Sequence, residues 1–580
     1  MSGIDGAALA SLTASVDAAT MFRHLEEFAR RIKLSGTAEE YESFRYLRAV
    51  LDGYGYRTEL LRHEAYISLP GRARILIGNE QPDCITHSFS RPSPQGGLSA
   101  PVVYAGAGRA EDFAAIDARG RIVLLEGIAN PGASLRAARA GAVGQVHISP
   151  HEHLHEMCIS PVWGSPSEAT RAELPRTTVV SLRQAAGAAL KARVVAGETV
   201  DVTLHAEVDT AWRETPLLVA ELMPEGEPDA PFVLFSGHHD TWYFGVMDNG
   251  GANATMLEAA RLLRHERAAW KRGLRLCFWS GHSHGRYSGS AWYADTHWEE
   301  LARRCGAHVN VDSTGARGNT VLTDALCSAE LAGLAAEAIR VEGGQELAGL
   351  RMSRAGDQSF WGIGVASMFM AMGEQPAAAA DNVMAGVLGG GPRRGAGLGW
   401  WWHTPEDTLD KMEPGLLVRD TRIYVHALAR LLTAPRLPLD YRRATLGLEA
   451  ELAKLAPGVG GALDLAALGA RARRLGALAG ALADAAAADA AADAAVDRAL
   501  MAVSRALVPM DYTSGDRFAH DPALPQNPWP VLDPLRLLAA SEAGSDEQRF
   551  RLVAARRACN RLGHALATAI AALEVVTRPS

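Results

Sequence analysis

The chain has 580 residues, 48% apolar and 21% charged, an ordinary globular balance with material for about three domains. A net charge of -8 and a pI near 6.2 leave no electrostatic footprint for nucleic acid or an anionic membrane. Six cysteines (Cys84, Cys158, Cys277, Cys305, Cys327, Cys559) form no CxxC unit, which argues against a zinc ribbon or redox dithiol and for free thiols in a reducing compartment.

The first residues lack a basic region followed by a long apolar one, so no signal peptide is expected. No run of about 18 uncharged apolar residues occurs, so no membrane span is expected and the cytoplasm is the expected location. Residues 18–54 predict helices, with apolar positions at helical spacing through MFRHLEEFARRI and YESFRYLRAVL before Gly53. From about residue 60 to 205, short apolar runs (ARILIG, PVVYAG, RIVLLEG, VGQVHIS, TTVVSL) lie between Gly, Pro and Asp, which predicts a strand-rich module with few helices.

Residues 206–435 alternate strand-like and helix-like runs. PFVLFSG, LRLCFWSG, HVNVDS and GVASMFMAM read as strands; NATMLEAARLLRHE, AWYADTHWEELARRC, LAGLAAEAIRVEG and RDTRIYVHALARLL read as helices. This predicts an α/β fold whose sheet is flanked by helices, with ligands beyond the carboxyl ends of the strands. Residues 376–399 are Gly- and Ala-rich without period; disorder is expected there, with a mobile lid as the alternative. From about residue 440 the chain is rich in Ala and Leu and predicts a helical domain.

The chemistry-bearing groups cluster after the strands. GHHDTWYFGVMDN offers His238, His239, Asp240 and Asp248; WSGHSHGRYSGS offers His282 and His284; Asp312 follows HVNV; WWWHTPEDT offers His403. Imidazoles and carboxylates are the ligands zinc takes in catalytic sites, and Asp248 suits a carboxylate shared by two ions. Each is weak alone, but their joint placement in one α/β domain is hard to explain as solvated surface. A further stretch, HEHLHEMC, carries His151, His153 and His155 at a spacing that puts them on one face of a strand; no partner group is evident, and a polar loop is expected.

These motifs resemble those of the glutamate carboxypeptidase II and transferrin receptor branch of the zinc exopeptidases. GHHDTWYFGVMDN is similar to that family's first metal motif at His238, Asp240, Trp242, Phe244, Gly245 and Asp248. VNVDSTGARGN and HTPEDTLDKM are similar to its later ligand stretches at Asp312 and His403, and RAGDQSFWGIGVAS resembles a segment near the substrate. The resemblance implies a zinc aminopeptidase-like catalytic domain in two parts, 1–60 and 206–439. It also implies a protease-associated insert at 61–205, a helical dimerisation-like domain at 440–580, and a homodimer.

The departures shape the expected site. The family carries two adjacent glutamates, a general base and a metal ligand, where alignment on Trp279 and Gly285 puts His282 and Ser283. Serine is a poor zinc ligand and imidazole a good one, so His282 or His284 is expected to replace the lost glutamate while the other moves protons. His238 and Asp312 would hold one ion, and His403 with His282 or His284 the other. Asp248 would bridge the two, and Asp240 would orient His238. Two zinc ions per chain are expected, or one. Met368, Phe369 and Met370 stand in the region where the family's arginines hold an acidic side chain; together with Trp400, Trp401 and Trp402 they predict an apolar or aromatic pocket rather than a glutamate-releasing site. The expected function is metal-dependent hydrolysis of an amide or peptide bond in a small substrate. The alternatives are a non-catalytic, transferrin-receptor-like binding protein, or a mononuclear enzyme with metal at His238, Asp248 and Asp312.

Overall fold

FVLFSGH and GLRLCFW bury every residue, the texture of strands covered on both faces. The computed structural model describes residues 3–377, 395–485 and 489–577 and places these runs at the centre of a sheet. The strands are β1 (Arg57–Ile77), β2 (Cys84–Thr86), β3 (Leu98–Tyr104), β4 (Ile122–Glu126), β5 (Gly144–Ile148), β6 (Thr178–Leu182) and β7 (Asp201–Leu222). They continue with β8 (Phe232–His238), β9 (Gly273–Trp279), β10 (Cys305–Asn310), β11 (Leu326–Cys327), β12 (Leu350–Arg351) and β13 (Ser367–Met368). The order β12-β11-β13-β10-β8-β9-β7 makes a mixed sheet in which β10, β8 and β9 run parallel.

Alternation along β8 divides the core. Val233 and Phe235 pack with helices Ala252–Leu263 and Pro414–Thr433, while Phe232 and Leu234 join Tyr293, Leu301 and Ile363 on the other face. The parallel register brings the carboxyl ends of β8, β9 and β10 to one edge, where the site lies.

β1 and β7 form a long antiparallel ribbon from Arg57↔Glu221 to Ile77↔Val202. One end of β7 pairs with β9, and the other with β3. Beyond the ribbon, β3, β4, β5 and β6 run parallel around a separate apolar core of Ile122, Leu124, Val146 and Val180. Parallel strands need crossovers; helix Pro131–Arg139 supplies the one between β4 and β5, while helix Gln184–Val195 leads from β6 into β7. Sequence reading anticipated few helices here because their Ala- and Gly-rich faces carry little apolar contrast.

Among the described residues, the helices Arg442–Val459, Leu465–Asp484, Ala490–Tyr512, Asp533–Ala539 and Asp546–Thr577 make up the last part of the chain. Leu465, Leu468, Ala472, Leu475, Ala479 and Leu482 lie buried at helical spacing. Arg505 fixes this layer to the sheet domain by bonding the carbonyls of Leu301, Ala302, Cys305 and Gly364. Most of 376–399 lies outside the described residues, including the span expected to be disordered or a lid; Pro376 and Gly395 pair as an antiparallel bridge. All six cysteines are unpaired. Among the described residues no helix is long and apolar enough to cross a membrane.

Candidate metal centre

His238 ends β8, and its position depends on Gly237. A Cβ there would lie 2.6 Å from the Val311 carbonyl oxygen, so glycine lets β8 and the chain after β10 approach closely. The His238 Nδ1–H donates to the Asp240 carbonyl at 2.8 Å, which leaves the Nε2 lone pair free. That nitrogen faces Asp248 Oδ1 at 3.1 Å and Asp312 Oδ2 at 3.6 Å. Asp248 is delivered by a turn at Gly245, whose φ of +53° and close approach to the Asp248 carbonyl favour glycine. Asn249 ties that turn to the loop that carries Asp312 by accepting the Ser313 amide at 2.9 Å.

The other Asp248 oxygen, Oδ2, faces His403 Nε2 at 3.0 Å. His403 donates its Nδ1–H to the Glu156 carbonyl at 2.7 Å, and the Glu156 amide donates back to the His403 carbonyl at 3.1 Å. Asp407 supports Asp248 from behind, accepting the Met247 and Asp248 amides at 2.8 and 3.0 Å. A carboxylate thus spans two imidazole lone pairs. His238 Nε2 and Asp248 Oδ1 are buried without a hydrogen-bond partner. Lone pairs converging on carboxylates in a buried place require positive charge between them. Without an ion a proton takes that place: burial alone would push His238 down, but Asp248 and Asp312 hold it well above its ordinary value. Burial would likewise raise Asp248, yet His238 and His403 hold it well below the usual carboxylate range. The donor set suits zinc, and these residues fit a metal ion.

The loop after β9 is pinned by Asp240. Its carboxylate accepts the His282 amide at 3.2 Å, the Ser283 amide at 2.9 Å and the Ser35 hydroxyl at 2.7 Å. His282 then stacks on His238, ring centroids 3.7 Å apart. Its Nδ1–H donates to Asp357 Oδ2 at 2.9 Å, while Asp357 Oδ1 accepts the Ser290 hydroxyl at 2.8 Å. Burial raises Asp357, but His282 outweighs it, and the carboxyl stays below its ordinary range. With Nδ1–H committed to Asp357, the lone pair of the neutral imidazole lies on Nε2. His238, His282 and Asp312 offer ligand atoms all within 4.8 Å of one another.

Residues 218–428 match the model of Peptidase family M28. Over that segment the chain is similar to the M28 peptidases, which supports a zinc exopeptidase family. It is 23% identical over 342 residues to the probable glutamate carboxypeptidase VP8 of Zea mays, covering 48% of each chain. It is 24% identical over 386 residues to the probable glutamate carboxypeptidase LAMP1 of Arabidopsis thaliana, covering 52% of this chain and 55% of that one. The chain thus spans about half the length of these curated relatives. The aminopeptidase of Aneurinibacillus sp. strain AM-1 superposes with a TM-score of 0.54 at 21% identity, over 73% of this chain and 95% of that one. A zinc aminopeptidase of Bacillus subtilis gives 0.54 at 20%, over 72% and 96%. At such identity these two likenesses describe the fold.

Within residues 218–428 the structure gathers His238, Asp248, Asp312, His403 and His282. Asp240 orients His238 through its main-chain carbonyl and not, as expected, through its carboxylate, because the turn after β8 aims that carboxylate at the 282–283 amides. His239 points away into the core, between Phe28 and Phe44. His284 is not one of the three ligand-bearing residues His238, His282 and Asp312; its Nε2 faces Glu156 Oε1 at 3.8 Å. Met368 and Phe369 do not line a pocket: both are fully buried, and Phe369 packs edge-on to Tyr424. A fully covered strand and a pocket wall have the same apolar sequence. Trp402 stacks on His403, centroids 3.3 Å apart, so it braces that imidazole.

Three residues escaped the sequence reading. Asp357 stands inside RAGDQSF, which was read only as a stretch near the substrate. Asp407 stands inside HTPEDT. Glu156 belongs to HEHLHEMC, where the histidines drew attention. That stretch is more than a polar loop: His155 donates to the Trp402 carbonyl, and His153 stacks on Trp400 at 4.1 Å.

Proposed function

We propose that this chain is a metal-dependent hydrolase of an amide or peptide bond in a small substrate. The observation that carries the reading is Asp248, whose two oxygens face His238 and His403 as a bridging carboxylate would. His238, Asp248, Asp312 and His403 would hold zinc, two ions per chain. When bound, zinc lowers the pKa of water towards neutrality and polarises a carbonyl. His282 Nε2, kept free by the Asp357 hydrogen bond, accepts a proton from the attacking water and returns it to the leaving nitrogen. Asp357 stabilises the imidazolium formed in between. With Met368 and Phe369 in the core, half-buried Tyr243, Phe244 and Trp400 are the aromatic groups left to meet an apolar substrate. The chain is proposed to pair as a homodimer through its C-terminal helices, which expose Leu537, Phe550 and Val553.

A second reading, a mononuclear centre with His282 as a ligand, draws on the mutual closeness of His238, His282 and Asp312. Substitution at His282 separates the two. Under the first reading His282→Ala keeps its metal and loses turnover of an aminoacyl amide by about 100-fold or more. Loss of metal from the variant makes His282 a ligand; unchanged metal and unchanged turnover remove it from the reaction.

A further inference from the structure

The loop that lacks the family's second glutamate holds a group the account above leaves idle. Ser35 donates its proton to Asp240 Oδ2 at 2.7 Å, so it accepts from His284 Nδ1–H at 3.2 Å. The imidazole therefore carries its proton on Nδ1 and a bare lone pair on Nε2. His284 is fully buried, and that nitrogen has no hydrogen-bond partner. It faces Glu156 Oε1 at 3.8 Å, too far for a hydrogen bond. A lone pair facing a carboxylate in a buried place is unfavourable until something electropositive lies between. Two zinc–ligand bonds of about 2.0–2.2 Å span such a gap at an obtuse angle.

The neighbours fit the same assignment. The Tyr243 phenol lies beside Glu156, and burial together with that carboxylate pushes the phenol's pKa up. The Glu156 main chain is clamped to His403 by two hydrogen bonds. Trp242 packs against both imidazoles, its ring centroid 4.6 Å from His284 and 4.9 Å from His403. The segment that carries Glu156 lies between β5 and β6, so its carboxylate comes from outside the segment similar to the M28 peptidases.

We propose that Glu156 and His284 together bind a divalent cation, replacing across two segments the ligand that Ser283 does not supply. The proposal rests on the metal-hydrolase reading and deepens it: the module between β1 and β7 would contribute a ligand to the metal centre.

The test is metal uptake by the full chain, stripped with a chelator and titrated with zinc by calorimetry, with metal per chain counted after dialysis. The wild type is expected to take up two ions. Glu156→Gln and His284→Gln are each expected to bind one of them at least about tenfold more weakly while keeping the other at wild-type affinity. Circular dichroism and melting of the stripped proteins check that each variant folds; Glu156→Gln is the near-isosteric control. Two ions bound by both variants at wild-type affinity would overturn the inference, since a water could then bridge the gap. So would a wild type that takes one ion and variants that keep it, although the hydrolase reading would survive. Uptake of none would sink both.

Discussion

Asp357 gives His282 its orientation and its charge partner in one contact, the 2.9 Å hydrogen bond to Nδ1. Asp357→Asn keeps the shape and removes the negative charge that stabilises the imidazolium. The expected result is kcat lower by about 10- to 100-fold, with metal content unchanged. KM should move by less than about twofold, because the lost interaction strengthens only as proton transfer proceeds. Steady-state kinetics with elemental analysis reads both; a variant that loses metal instead would make Asp357 a support for a ligand. The contrast between the legible and illegible site residues is one of sequence distance. His238, Asp240 and Asp248 sit in one run of thirteen residues whose spacing is itself a signal. Asp357 meets His282 across 75 positions, and Glu156 meets His403 across 247, so only the fold brings them together. His284 was visible as a candidate, yet the sequence could not say that its Nδ1 is occupied by Ser35.

The long, strongly patterned elements followed from the sequence. β8 and β9 with helix Ala252–Leu263 stand where the alternation of apolar runs put them. GVASMFMAM was the weak point: Ser367–Met368 alone is regular strand, the positive φ of Phe369 interrupts it, and Ala371 rejoins as an isolated parallel bridge to Asp312. At the junction with the helical layer, Glu330 is buried with Oε2 unpartnered, and its amide-linked carbonyl accepts from Asp440. Burial, with Asp511 beside it, raises its pKa to about 7, against the opposing influence of Arg351. A raised carboxyl pKa means the folded state holds the proton that the unfolded chain releases. Its stabilising contribution is complete below the ordinary value of 4.5 and is lost as pH rises towards 7. Glu330→Gln should therefore match the wild type at pH 4 and exceed it by about 1–3 kcal/mol at pH 8 in denaturant unfolding. A variant less stable at pH 8 would show the carboxylate to be paired in the native state.

Over the whole molecule, the ribbon of β1 and β7 joins two sheets, and the module it carries reaches back to the metal centre through residues 151–157. That contact was not legible, since a histidine-rich stretch between two strands looks the same whether it faces water or another domain. The helical layer was legible from its Ala and Leu content, but which of its faces stays open was not. Phe550 is 72% exposed and Val553 47% on helix Asp546–Thr577. Light scattering should give twice 61.7 kDa for the wild type and the single-chain mass for Phe550→Glu with Val553→Glu. A wild type that runs as a monomer would leave these side chains without the proposed partner.

The measurement that bears most directly on the account is elemental analysis of the purified, unchelated full chain beside His238→Ala. The account predicts about two zinc-like ions per wild-type chain and the loss of at least one from the variant. A wild type that carries no metal, and takes up none from zinc, manganese or cobalt, would contradict it.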